Sequence, residues 1–145
     1  MTKISAYPLV STPTIDDLLI GTDFENHKET KNFSIQDIID LTVPYKIYNA
    51  ILTQSSNLDP VATVLQNTLG SPIVWTRTSA GMYLGTLTAA FPTNKTLVQA
   101  TNSTYKINMV GNISPDEIQL FLFDPIANNY SDGFTKLSIE IKVYN

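Results

Sequence analysis

The sequence predicts a mainly β protein. A small N-terminal piece, short strands plus one helix, precedes an antiparallel β-sandwich, jelly-roll-like, or a small barrel. Three observations carry this reading. From Pro60 to Phe91, short β-branched and aromatic runs are separated by Gly, Pro and Ser turn signals. From Lys136 to Tyr144 the alternation is clean, with Leu137, Ile139, Ile141 and Val143 inward and Lys136, Ser138, Glu140 and Lys142 outward. Between Tyr45 and the last residue, about eight short strands follow one another at turn-separated intervals. No internal repeat interrupts them.

In chain order, Met1 to Thr14 carries Pro8 and Pro13 without sustained periodicity and reads as an extended arm. Ile15 to Thr22 holds the compact run Leu18, Leu19, Ile20, ended by Gly21, and reads as one short strand. Asp23 to Glu29 is a polar turn, and Thr30 to Phe33 pairs back as a second strand. Ser34 with Asp37 gives a weak capping box, after which Ile35, Ile38, Ile39 and Leu41 share roughly one helical face up to Thr42. Pro44 stops that helix. Residues 1–44 are too few to bury a core alone, because segments below roughly 40 residues need staples or partners. They are therefore expected to dock on something, and residues 45–145 to form the β-domain.

In that domain, Lys46 to Gln54 puts Ile47 and Ile51 on one face and Tyr48, Ala50 and Leu52 on the other, as a central or interface strand does. Val61 to Gln66 is the next strand. Ile73 to Thr78 sets Ile73, Trp75 and Arg77 against Val74, Thr76 and Thr78, and Met82 to Thr88 resumes after a three-residue Gly-containing connection. Gly85 marks a bulge or a close backbone approach. Thr96 to Ala100 and Thr104 to Val110 follow; in the latter Tyr105, Ile107 and Met109 alternate with Lys106 and Asn108. Glu117 to Phe123 opposes Ile118, Leu120 and Leu122 to Gln119, Phe121 and Phe123, and Asp124 to Thr135 is the longest turn-rich segment, expected as an exposed loop. A last strand running on to Tyr144 ties the C-terminal segment into a sheet.

Composition excludes several functions. A net charge of −4, a pI near 4.7 and no basic stripe argue against nucleic-acid binding, which needs clustered Lys and Arg. The opening MTKISAYPLV does not read as a signal peptide, and nothing approaches the ~20 apolar residues of a membrane span. Zero cysteines remove disulfides, thiolate metal sites and Cys nucleophiles. Charged residues make up 15% of the chain against roughly a quarter in ordinary soluble domains, so the polar surface rests on Thr, Ser, Asn and Gln.

No catalytic constellation emerges, and no cofactor or metal is expected. His27 sits in a charged turn between Asn26 and Lys28, where an isolated imidazole is a solvated surface group. Asp16 and Asp17 begin a structured segment and read as caps. Asp124, Asn128, Asn129 and Asp132 crowd oxygen donors into one segment, but their spacing is not that of an EF-hand, and an Asx-rich turn accounts for them. Asn94 and Asn102 head N-glycosylation-type triplets that read as polar turns without a secretory signal. Trp75 and Tyr83 lie on alternating strands and read as core; Tyr105 and Tyr130 are aromatic faces for sugar stacking, Tyr130 the freer of the two.

From Ile4 to Ile39 the chain resembles the N-terminal attachment region of bacteriophage fibre and appendage proteins. Ile4-Ser5, Pro8, Leu18-Leu19-Ile20, Thr30-Lys31, Phe33 and Asp37-Ile38 occupy the places of that pattern, with Tyr7 where many members have Leu. The remainder, from YKIYNAILTQSS through PVATVLQNTLGSPIVWTR to SIEIKVYN, is similar to a C-terminal β-domain of virion proteins from phages and prophages of Bacteroidetes hosts, including crAss-like phages. The resemblance implies a non-enzymatic virion protein, made in the host cytoplasm and carried on the virion surface. Pro8, Leu18, Leu19, Ile20, Thr30, Lys31, Phe33 and Ile38 would anchor it to the capsid or other virion proteins, and the β-domain would be displayed as a homotrimer. A short head fibre or decoration protein is the leading expectation, with a tail fibre or tail-tip component as the alternative and a carbohydrate-active depolymerase as the rival class. Weak recognition of host surface polysaccharide through Tyr130, Asn128 and Asn129 would accompany display; neither nucleic acid nor membrane insertion is expected.

Overall fold

The computed structural model describes residues 14–23 and 29–144. Ile4, Ser5, Tyr7, Pro8 and His27 lie outside them. The chain divides into two compact units, Met1–Pro44 and Tyr45–Asn145.

In the first unit, β1 (Leu18–Asp23) and β2 (Glu29–Ser34) pair antiparallel, with Leu19 opposite Phe33 and Gly21 opposite Lys31. The Phe33 ring lies across Gly21, whose missing Cβ would stand 2.9 Å from a ring carbon. The helix α1 (Ile35–Thr42) starts directly after β2. Asp17 closes the entry to this unit: its carboxylate accepts the Thr14 amide at 2.6 Å, and its carbonyl accepts the Ile35 amide at 3.1 Å. This is the capping role read for it.

The second unit is mainly β, with every pairing antiparallel. One sheet orders β4 (Val61–Asn67), β3 (Tyr45–Gln54), β11 (Phe134–Tyr144) and β7 (Thr96–Asn102). The other orders β5 (Val74–Ser79), β6 (Met82–Thr86), β9 (Glu117–Asp124) and β8 (Ile107–Ser114). Phe123 pairs with both Ile107 of β8 and Tyr130 of the short β10 (Asn129–Tyr130), so β10 runs on the β6 side of β9. Both sheets send side chains into one core: Tyr48, Ala50 and Leu52 from β3, Leu137, Ile139, Ile141 and Val143 from β11, Ile118, Leu120 and Leu122 from β9, Trp75 and Tyr83 from the β5–β6 hairpin. The Trp75 indole donates to the Tyr48 hydroxyl at 3.3 Å, and Tyr83 meets Phe134 edge to face, so polar and aromatic contacts link the two sheets.

Period two predicted the inward set of β11 and separated the two faces of β3 and β9 without saying which is dry; β3 lies between β4 and β11, the central position that is one of its two readings. Gly85 proves to be a close approach and not a bulge, with the Trp75 ring seated over it. Three details differ from the sequence reading. The β5–β6 connection is a two-residue turn, Ala80-Gly81, because Ser79 pairs with Met82 and the extra residue is taken up as an irregularity after Arg77. Strand β8 runs from Ile107 to Ser114, later than read, and its apolar residues Ile107 and Met109 face solvent while Asn108 and Val110 turn inward. The segment from Asp124 to Thr135 is exposed over residues 125–130, as read, but it also contributes β10 and is anchored through Asp132.

Candidate interaction surfaces

Three surface regions stand out. The first is the N-terminal unit. None of the described side chains between residues 14 and 44 is fully buried, and Ile15, Leu18, Leu19, Ile20, Ile38, Ile39 and Leu41 are exposed, Ile20 to 78% and Leu41 to 85%. Leu18 and Ile20 project from one face of the hairpin; Leu19, opposite Phe33, projects from the other. Thr30 is exposed, whereas Lys31 and Phe33 are partly buried. Of the residues named for anchoring, all except Pro8 therefore fall on this hairpin and helix. A single apolar face is the usual arrangement, and apolar groups on both faces need covering on both.

The second region is the outward face of the β5–β6–β9–β8 sheet. Cross-strand register assembles it in rows: Tyr130 beside Phe123 beside Ile107, then Met82 beside Phe121 beside Met109, then Leu84 beside Gln119 beside Gly111. Tyr130 packs against Phe121 at 5.7 Å and Phe123 at 5.6 Å between ring centroids, leaving 38% of it exposed. Asn128, in the left-handed backbone region at φ 53°, and Asn129 flank it and are exposed. The three residues named for sugar contact are thus together. Tyr105 is elsewhere engaged, its hydroxyl donating to Asp124 at 2.8 Å.

The third region crosses the outer face of the other sheet, where register aligns Gln66, Asn49, Glu140 and Gln99 in one row over four strands. These side chains, with Thr101 and Ser138, line a shallow groove of about 490 Å³. Sequence reading missed this row, since its members come from strands up to 91 residues apart, Asn49 to Glu140. Glu140 is paired with Lys142 at 3.0 Å.

Of the oxygen donors in the 124–132 segment, the two aspartates are occupied within the fold. Asp124 accepts the Ile126 and Ala127 amides at 2.9 and 3.0 Å, an Asx turn, and the Ala127 amide foremost holds its carboxyl below the ordinary carboxylate value despite burial. Asp132 accepts a two-pronged contact from Arg77 at 3.0 and 2.8 Å, the Gly81 amide at 2.9 Å and the Tyr83 hydroxyl at 2.9 Å. Burial pushes its carboxyl up, but these donors outweigh burial and hold it below the ordinary value. Burial, then the Asp132 charge and hydrogen bond, pushes the Tyr83 phenol well up, so it stays protonated as the donor. Gln54 extends the network, its carbonyl oxygen accepting the Gly133 amide at 2.6 Å while its amide donates to the Ser56 and Leu58 carbonyls. Lys106 donates to the Asp132 and Gly133 carbonyls.

Among the described residues, no group of three or more His, Cys, Asp or Glu side chains gathers as a metal site, and no helix is long and apolar enough to cross a membrane. Comparison with protein-family models, curated proteins and solved structures finds no match to the chain.

Proposed function

We propose that the chain is a non-enzymatic structural protein of a phage virion, a short head fibre or decoration protein carried on the particle surface. Residues 1–44 hold the capsid or another virion protein, and residues 45–145 project as a homotrimer whose sheets stack as a β-sandwich. Four connections cross between the sheets, as in jelly-roll-like folds, while β3–β4, β5–β6, β8–β9 and β9–β10 stay within one sheet. The observation that carries the reading is the contrast between the units: apolar side chains turned outward in the described part of the first, a closed core in the second. A piece of this kind is built to be covered by a partner. The same parts would serve a tail fibre or tail-tip component, and the particle substructure that retains the protein decides between them.

Full-length protein carrying Ile20→Asp and Leu41→Asp should lose at least about tenfold in co-sedimentation with phage particles, since each buried aliphatic side chain contributes roughly 1.5–3 kcal/mol. Its β-domain should melt as in the wild type. Undiminished co-sedimentation would remove the anchor assignment.

The display unit is also proposed to bind host surface polysaccharide weakly, supported by the exposed Tyr130 ring beside Asn128 and Asn129. Tyr130→Ala should abolish signal on an array of host polysaccharides. Retained signal would move the contact to the amide row of Asn49, Gln66 and Gln99, whose side chains both donate to and accept from sugar hydroxyls.

A further inference from the structure

We infer that the Asp132–Gly133 junction is a site of spontaneous covalent rearrangement, aspartate to isoaspartate, which the folded hydrogen-bond network holds off and which opening of that corner releases. The inference is independent of the virion reading.

The sequence supplies the reactive pair. Among the six glycines, Gly133 alone follows an Asp or Asn. Glycine has no Cβ to crowd its amide, so its nitrogen approaches the preceding carboxyl more easily than that of any other residue. The reaction balances without a co-reactant. The Gly133 nitrogen gives up its proton and bonds to Cγ of Asp132, the bond from Cγ to one oxygen breaks, and water leaves a five-membered imide. Water then adds back. Opening at the former side-chain carbonyl restores Asp132, and opening at the backbone carbonyl leaves isoaspartate, with the chain running through Cγ and one methylene longer.

The fold requires both members of this labile pair. Gly133 stands at φ 92°, a backbone conformation that only glycine adopts without strain. Asp132 supplies the carboxylate that Arg77, Gly81 and Tyr83 share. Lability is therefore built into this corner.

The same contacts hold the reaction off. The attacking amide is committed, since Gly133 N–H donates to the Gln54 side-chain oxygen at 2.6 Å. Both backbone carbonyls of the pair accept from Lys106. Whichever carboxylate oxygen were to leave, a bond to Arg77 must break first: Oδ1 accepts Arg77 Nε, the Gly81 amide and the Tyr83 hydroxyl, and Oδ2 accepts Arg77 Nη2. Against burial, which raises it, these donors hold the carboxyl below its ordinary value, so the neutral acid whose hydroxyl can leave is scarce. Water is at hand for the second step, because the Asp132 side chain is 19% exposed.

The product cannot return to the native arrangement. Its extra methylene falls at the entry to β11, next to Phe134, which is 2% exposed in the core, and its carboxylate sits on Cα, out of place for the shared donors. An opening of this corner that lasts long enough thus becomes irreversible, and survival of the β-domain is governed by how seldom the corner opens.

The test is incubation of full-length protein in warm neutral buffer, with isoaspartate quantified by an isoaspartyl methyltransferase and located by tandem mass spectrometry. Four samples are compared: folded wild type, wild type in urea, Gln54→Ala and Arg77→Gln, the last altering a side chain that solvent already reaches and serving if Gln54→Ala fails to fold. Isoaspartate should accumulate at position 132 in urea and at least about tenfold more slowly in the folded wild type, as expected when reaction waits on local opening. A variant that keeps the wild-type circular dichroism spectrum should react about fivefold faster than folded wild type, the factor that the net loss of one ordinary hydrogen bond gives. Equal rates in folded and urea-treated wild type, or folded variants no faster than wild type, would overturn the inference.

Discussion

Replacing Gly85 by valine should cost about 3 kcal/mol or more, because the new Cβ alone would stand 2.8 to 2.9 Å from three atoms of the Trp75 indole. That ring cannot give way cheaply. It is only 5% exposed, it pairs through its strand with Gly85 itself, and its nitrogen donates to Tyr48 across the core. Overpacking at an open site is relieved by a rotamer change, whereas here the neighbours on the far side of the ring are the buried residues of the facing sheet. Chemical denaturation should show a lowered midpoint at unchanged slope. The double mutant Gly85→Val with Trp75→Leu should recover part of the loss, which a thermodynamic cycle measures as coupling between the two positions. Additive losses would mean that Gly85 matters for another reason.

Asp132→Ala should cost about 2–4 kcal/mol. The carboxylate is the acceptor shared by the Arg77 guanidinium, the Gly81 amide and the Tyr83 hydroxyl, so its removal strands the first two and leaves Tyr83 only its longer contact to the Gln54 oxygen at 3.3 Å. Solvent reaches about a fifth of the Arg77 and Asp132 side chains, which keeps the figure below that of a fully buried pair. Gly81 adds a geometric constraint: with φ at +63° and the Leu122 carbonyl 2.5 Å from where a Cβ would be, this turn tolerates only glycine and depends on Asp132 to hold it. The same network sets an acid limit. The folded Asp132 carboxyl titrates below its unfolded value near 3.9, so its contribution is fully present above that pH and is lost as pH falls through the folded value. Asp132→Asn should therefore be less stable than wild type at pH 7, with the gap narrowing below about pH 4. A gap constant from pH 7 to 3 would show that Asp132 acts through shape and not charge.

The fold was legible wherever one strand carried both its pattern and its answer. Leu137, Ile139, Ile141 and Val143 alternate with polar residues, and that alternation alone assigns the inner face. In β8 the same period misleads, because it groups Ile107 with Met109 without saying which side is dry. Beside Val110, the side groups that turn inward there are polar but satisfied, Asn108 donating to the Ala100 carbonyl at 2.8 Å and Asn112 to the Phe91 carbonyl at 2.9 Å. Burial with partners is inexpensive, so hydrophobicity does not dictate the face. Nor could the sequence show the Asp132 network, whose members lie at Gln54, Arg77, Gly81 and Tyr83; such pairings exist only once the sheets have met. Tyr130 was recognisable as an aromatic outside the core, but its packing on Phe121 and Phe123 depends on β10 lying beside β9. The polar row across β4, β3, β11 and β7 was hidden for the same reason.

Quantitative mass spectrometry of gradient-purified virions decides whether the proposed place in a phage particle is right. Peptides of this chain should be present in the purified particles, at a copy number in fixed ratio to the capsid protein and in multiples of three. Peptides abundant in the lysate but absent from the virion band would contradict it.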